Sequence, residues 1–245
     1  LDMYKKYWPA DLHVIGKDIV RFHTIYWPII LMALGEPLPK KVLGHPWLLF
    51  GEDKMSKSKG NIIYADELSA RFGSDAVRYY LLSEMPFAQD GTITYESFIA
   101  RFNTDLANTL GNLVNRTVAM TNKYFDGSVK KSAPTGEFDA DLIACCEKML
   151  SNYTRFMDNY KNADAVECIM DFARRCNKYI DETTPWSLAK NEEDKPRLET
   201  VLYNLLEGIR VIANVLIPIM PECSENIMAQ LCCAEKDFAF GRCDG

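Results

Sequence analysis

The residues best suited to chemistry lie in one short stretch, KMSKSKGN, from Lys54 to Asn61. Lys54 and Lys57 stand three apart with Ser56 between them, and Lys59 follows. Like charges this close repel in a packed helix. They suit a loop that meets a polyphosphate, because ammonium groups stabilise charge that builds on phosphoryl oxygens in a transition state. Gly60 lets the backbone turn. A solvated basic turn has the same composition, so the stretch alone leaves both readings open.

Three further groupings carry polar or aromatic side chains at helical spacing. In IGKDIVRFHTIYWP (15–28), Ile19, Phe22, His23, Tyr26, Trp27 and Ile30 share one face. Such a face is either a core face with one histidine or the wall of an apolar pocket. In NTLGNLVNRT (108–117), Asn108, Asn112, Asn115 and Arg116 form a polar stripe. Asn is a poor helix former, so several on one face need a reason. Their donors and acceptors suit reading base edges, although a solvated face looks the same. In TTPWS (183–187), Thr184 is placed to cap a helix that starts at Pro185, with Trp186 either buried or available for stacking.

The elements that must position these groups fall into two textures. LHVIG (12–16) reads as a buried strand, followed by a helix with Asp18 as N-cap and Gly35 as stop. KKVLGHPWLLFGEDK reads as one or two strands. Strand, helix, strand predicts a right-handed βαβ unit of an open parallel sheet. ADELSARFG and SDAVRYYLLS read as short helices. From Tyr95 the pattern is helical throughout. Phe98, Phe102, Leu106, Leu110, Leu113 and Val114 recur at three- and four-residue steps, and further helices are predicted over about 139–160, 164–182, 196–216 and 222–233. A bundle of about five helices follows, with the domain boundary at 94/95.

Bulk composition narrows the classes. The 245 residues suit one large or two ordinary domains, and 48% apolar with 25% charged residues is the balance of a soluble globular protein. No apolar run is long enough for a membrane span and no signal pattern opens the chain, so a cytoplasmic protein is expected. The chain starts at Leu1 in mid-pattern, which reads as an excised piece of a longer protein. Eight cysteines include no C-x-x-C pair and no histidine at zinc spacing, so reduced thiols are expected. Residues 1–94 hold 11 basic and 11 acidic side chains, so the net charge of −6 lies wholly in residues 95–245. Any nucleic-acid contact must therefore come from local patches.

With these residues in view, KMSKS resembles the second signature motif of class I aminoacyl-tRNA synthetases, and the following KGN fits as well. The other signature, His-x-Gly-His, is absent; HVIGK (13–17) ends in Lys. Among these enzymes the chain resembles the methionyl-tRNA synthetases, from about Asp11 to about Leu231. The resemblance implies that Lys54, Ser56 and Lys57 bind ATP, with Lys54 and Lys57 neutralising the pyrophosphate. It places Asp18 in the active site, and His23 and Trp27 in a methionine pocket where aromatic rings suit a thioether. It implies that Asn112, Arg116, Pro185 and Trp186 contact the anticodon. Arg21 stands where the family often has an aromatic residue, and GHPW (44–47) stands where His-Gly is expected before the strand.

The expected architecture is α/β plus all-α: the second half of a Rossmann-like parallel sheet (1–94), then a helical anticodon-binding bundle (95–245). The implied activity is ATP-dependent activation of methionine and transfer to tRNA(Met), with Mg2+ accompanying ATP, no zinc site in this piece and no membrane partner. Homodimerisation of the full-length protein stays open. Without the His-x-Gly-His half, the piece is expected to be inactive alone. A cysteine- or leucine-type class I enzyme, or a tRNA-binding module without activity, are the alternatives.

Overall fold

A computed structural model describes residues 2–50, 53–54, 63–84, 89–130 and 136–233. By packing, the chain divides into two compact units: residues 1–62 with 85–93, and residues 63–84 with 94–245.

The first unit opens with helix α1 (Asp2–Tyr7) and strand β1 (His13–Gly16). β1 lies parallel to β2 (Val42–His45), with His13 opposite Val42 and Gly16 opposite His45. The segment between them is helical, as the strand–helix–strand order predicts, but in three forms: a 3-10 turn at Lys17–Ile19, a π-helix at Phe22–Tyr26 and α2 at Trp27–Leu34. Pro28 explains the wide turn. It has no N–H to give to the carbonyl four residues back, so the ladder shifts and Trp27 N–H reaches Phe22 O. Side chains take neighbouring carbonyls: Thr24 Oγ1 donates to Val20 O at 2.9 Å. The expected stop is present, with Gly35 left-handed (φ 71°) and its N–H bonded to Leu31 O and Met32 O. Asp18 is not the N-cap. It lies inside the 3-10 turn, and no side chain caps that turn. Where one open sheet was expected, the described residues form two small ones. In the second, β3 (Leu48–Phe50) pairs antiparallel with β4 (Asp53–Lys54) and parallel with β5 (Gly91–Ile93).

The second unit is helical: α3 (Ala65–Phe72), α4 (Ser74–Glu84), α5 (Tyr95–Arg101), a π-helix (Phe102–Gly111), α6 (Asn112–Phe125), α7 (Glu137–Asp158), α8 (Asn162–Thr183), α9 (Pro185–Leu188), α10 (Lys195–Leu216) and α11 (Pro221–Gln230). The start of α5 is written locally. Thr94 Oγ1 accepts the Ser97 N–H at 3.0 Å and Ser97 Oγ accepts the Thr94 N–H at 3.2 Å, a reciprocal cap. The apolar stripe read from Phe98 onward faces the core, with Phe98, Leu110, Leu113 and Val114 all buried.

Packing places residues 63–84 with the bundle, whereas chain order suggested that they belong with the strands. Tyr79 of α4 decides this: it is wholly buried in the helical core and its hydroxyl donates to Asp105 Oδ2 at 2.7 Å. Asp105 also takes Arg101 at 3.2 Å and Arg174 at 3.6 Å, so one buried carboxylate joins α4, the π-helix, α5 and α8. A second buried carboxylate, Asp139 at the start of α7, accepts Tyr179 Oη at 2.5 Å and Arg197 Nη2 at 2.7 Å. Both meet the requirement that a buried charge be paired and hydrogen-bonded. The seven described cysteines are free thiols.

Candidate functional site

Two sets of predicted residues are brought together, one in each unit. In the first, β1 and the helical segment after it form the wall of a cavity of about 530 Å3, lined by Trp8, Leu12, His13, Val14, Ile15, Phe22, His23 and Trp27. That size and lining fit a small-molecule site. The π-turn sets His23 and Trp27 four apart on one side. The His23 Nδ1–H donates to Ile19 O at 2.9 Å, because a carbonyl only accepts; in the neutral ring Nε2 is then the acceptor. His13 stands edge-on to His23, with centroids 6.1 Å apart at 89°, and Trp8 meets Trp27 edge-on at 5.9 Å. Ile19, Phe22, Tyr26 and Ile30, read as sharing the His23 face, are exposed rather than core.

Sequence reasoning missed Trp8 and His13. Trp8 precedes β1 in an irregular segment, so no periodicity connects it to Trp27. His13 was read only as part of a buried strand.

Asp18 lies next to this cavity in sequence, exposed at the C-terminal end of β1. There Lys17 Nζ bonds both Asp90 carboxylate oxygens at 2.6 and 2.7 Å and lies over the Trp47 ring at 4.4 Å. Asp90 also accepts the Trp47 N–H at 3.0 Å. Lys17 chiefly, and the Trp47 N–H after it, hold the Asp90 carboxyl below the usual carboxylate range. Lys54 is placed only as backbone in β4, and Ser56 and Lys57 lie outside the described residues. No group of three metal-ligating side chains occurs among the described residues.

In the second unit, the polar residues run from the π-helix into α6: Asn108 in the π-helix and Asn112 and Asn115 on α6 are exposed, and Arg116 is half-buried. Arg116 Nη2 donates to Asp181 Oδ1, 3.2 Å away in the last turn of α8. α8 ends because Thr184 is left-handed (φ 43°, ψ 61°). Pro185 then starts α9 and is buried, while Trp186 is 44% exposed. Thr184 therefore occupies the expected junction without the expected role. Its side chain caps nothing, and its backbone N–H closes α8 on Ile180 O. Asn177 Nδ2 donates to Thr109 O at 3.0 Å, tying α8 to the π-helix just before Asn112. Arg116 thus reaches the last turn of α8, and the exposed Trp186 indole follows that turn in α9; guanidinium, amide and indole groups are the types that stack on and hydrogen-bond unpaired bases.

Comparison with known proteins decides the family. Residues 2–118 match the model of class I tRNA synthetases of the M type, and residues 129–242 match the anticodon binding domain of methionyl tRNA ligase. The chain belongs to the methionyl-tRNA synthetase family. It is 54% identical over 230 residues to the methionine–tRNA ligase of Clostridium acetobutylicum, covering 94% of this chain and 36% of that one. To the Bacillus subtilis methionine–tRNA ligase it is 51% identical over 232 residues, covering 94% and 35%. The Mycobacterium tuberculosis methionyl-tRNA synthetase in complex with methionyl-adenylate superposes with a TM-score of 0.95 at 40% identity, over 100% of this chain and 48% of that chain. The chain thus spans about a third of the length of the curated relatives it matches.

Proposed function

We propose that this chain carries the second half of the nucleotide-binding fold and the anticodon-binding domain of a methionine–tRNA ligase. The carrying observation is that one chain holds both an aromatic and histidine-lined cavity beside parallel strands and, in a separate unit, an Arg116 paired to the last turn of α8 and an exposed Trp186 just after it. A tRNA-binding module alone would need only the second.

In this reading the complete protein joins methionine to ATP. The methionine carboxylate attacks the α-phosphorus, pyrophosphate leaves, and the tRNA 3′-terminal hydroxyl then displaces AMP. His23 and Trp27 shape the methionine pocket and Asp18 orients substrate. Lys54 and Lys57, with Ser56, act on the phosphates, where charge develops in the transition state, and Mg2+ accompanies ATP. Asn112, Arg116, Pro185 and Trp186 contact the anticodon of tRNA(Met). The two functional domains divide near residue 94, and the protein works in the cytoplasm, where tRNA is charged. Amongst the described residues no helix is long and apolar enough to cross a membrane.

The test is amino-acid-dependent ATP–pyrophosphate exchange by the complete protein. Exchange with methionine is expected; exchange with cysteine or leucine instead would sink the assignment. Residues 1–245 alone are expected to show none.

A further inference from the structure

The two small sheets of the first unit meet at a corner that one carboxylate organises. β2 ends at His45 and β3 starts at Leu48, so only Pro46 and Trp47 lie between the two sheets along the chain. Asp90 stands just before β5. Its carboxylate accepts Lys17 Nζ at 2.6 and 2.7 Å and the Trp47 N–H at 3.0 Å. The Lys17 ammonium also lies 4.4 Å over the Trp47 ring, and the Gly91 N–H donates to Trp47 O at 2.9 Å. Asp90 thus fastens three segments distant in sequence: the end of β1, the joint before β3 and the start of β5.

Stability is a weak reason for this cluster. The Lys17 and Asp90 side chains are 41% and 26% exposed, and ion pairs in contact with water contribute little. What the cluster fixes is direction. Lys17 directly precedes Asp18 and opens the helical segment that carries His23 and Trp27 into the cavity wall. Trp47 directly precedes β3, whose Leu49 is the register partner of Lys54 on β4. Lys17, Trp47 and Asp90 are not among the residues that line the cavity. The corner therefore joins the cavity wall to the strand pair that bears the first lysine of the KMSKS stretch.

Resting on the function proposed above, we propose that Asp90 is a positioning residue for methionine activation. Through Lys17 and Trp47 it sets the β3–β4 pair, and with it Lys54, against the segment that carries Asp18, His23 and Trp27. A charge that acts on a transition state depends steeply on its place, and an error of about 1 Å can cost up to about a hundredfold in rate.

The experiment is a double-mutant cycle in the complete protein, read by methionine-dependent ATP–pyrophosphate exchange. It compares Asp90→Ala, Lys54→Ala and the double variant. Asp90→Asn keeps an oxygen for the Trp47 N–H and loses the anion facing Lys17, so it carries the same cycle should Asp90→Ala not fold. Asp90→Ala should lower kcat about tenfold while the KM for methionine stays within about twofold, and Asp90→Asn should fall between it and the unsubstituted protein. In the Lys54→Ala background, removing Asp90 should change kcat by less than about twofold, because the group it positions is gone. Equal kcat losses in both backgrounds would mean that Asp90 does not act through the lysine strand and would overturn the proposal. A raised KM for methionine with kcat unchanged, or no effect at all, would overturn it too. If the unsubstituted protein shows no exchange with methionine, or if Lys54→Ala exchanges normally, the parent reading fails and takes the proposal with it, a result distinct from additivity.

Discussion

Trp186→Ala in the complete protein separates most cleanly the two roles proposed above, tRNA contact and methionine activation. The indole is 44% exposed, whereas Pro185 beside it is buried and keeps the α9 turn in place. Truncation removes roughly half the burial of one aromatic side chain, about 1–1.5 kcal/mol, and lowers the melting temperature by only a few degrees. The functional loss is larger. Stacking one base on an aromatic ring contributes about 1–3 kcal/mol, which converts to a roughly 5- to 150-fold weaker Kd for tRNA(Met). The assay pairs a filter-binding or titration Kd at fixed salt with methionine-dependent ATP–pyrophosphate exchange on the complete protein. Exchange should stay within about twofold of the unsubstituted protein, since the cavity wall lies in the other unit. If Kd and exchange fall together in proportion to a lost melting temperature, Trp186 is a structural residue and the stacking argument is wrong. If Kd is unchanged, the end of α8 is not the contact.

Lys57→Ala in the complete protein should slow adenylation at least tenfold while methionine binding changes little, if its charge acts on the transition state as proposed; pre-steady-state kinetics would show it, and an unchanged rate removes the role. Asp105→Ala leaves Arg101, Arg174 and Tyr79 without their shared buried carboxylate, so a loss of about 3–5 kcal/mol is expected in chemical denaturation. A loss under about 1 kcal/mol would mean that the three regroup without it. The Asp90 carboxyl has a folded pKa below its unfolded value, so the Lys17 contact contributes fully above about pH 4 and is lost as pH falls through the lower folded pKa. Tryptophan fluorescence of the Trp47 corner should report that step, and Asp90→Asn should abolish it; persistence in the variant would assign the step elsewhere.

Much of the fold was legible because it is written in local patterns. The period of the apolar residues gave the helices after Tyr95, Gly35 ends α2 in the left-handed turn that glycine takes without strain, and the asparagines of the polar stripe stayed exposed. Other features depend on partners distant in sequence. Nothing near residues 63–84 announces that Tyr79 will bury itself against the helical core, because the partners it meets there lie far along the chain. Asp105 and Asp139 look like ordinary acidic residues on helix patterns; only the arginines and tyrosines brought to them show why burial is tolerated. Trp8 and His13 joined His23 and Trp27 because an irregular segment and a strand end were folded against one turn.

The sequence by itself determined the chemistry on offer: the lysines at 54 and 57, the histidine and tryptophan at helical spacing, the asparagine–arginine stripe and the Pro-Trp pair. These are properties of side-chain type and short spacing, which period and composition carry. Tertiary structure alone decided which of them meet. It paired Arg116 with Asp181 at the end of α8, left the Trp186 indole accessible, and set the Asp90 carboxylate between Lys17 and the Trp47 N–H. The physical reason is that such meetings depend on parallel register and helix packing between segments distant along the chain, and no local pattern encodes the distance that results.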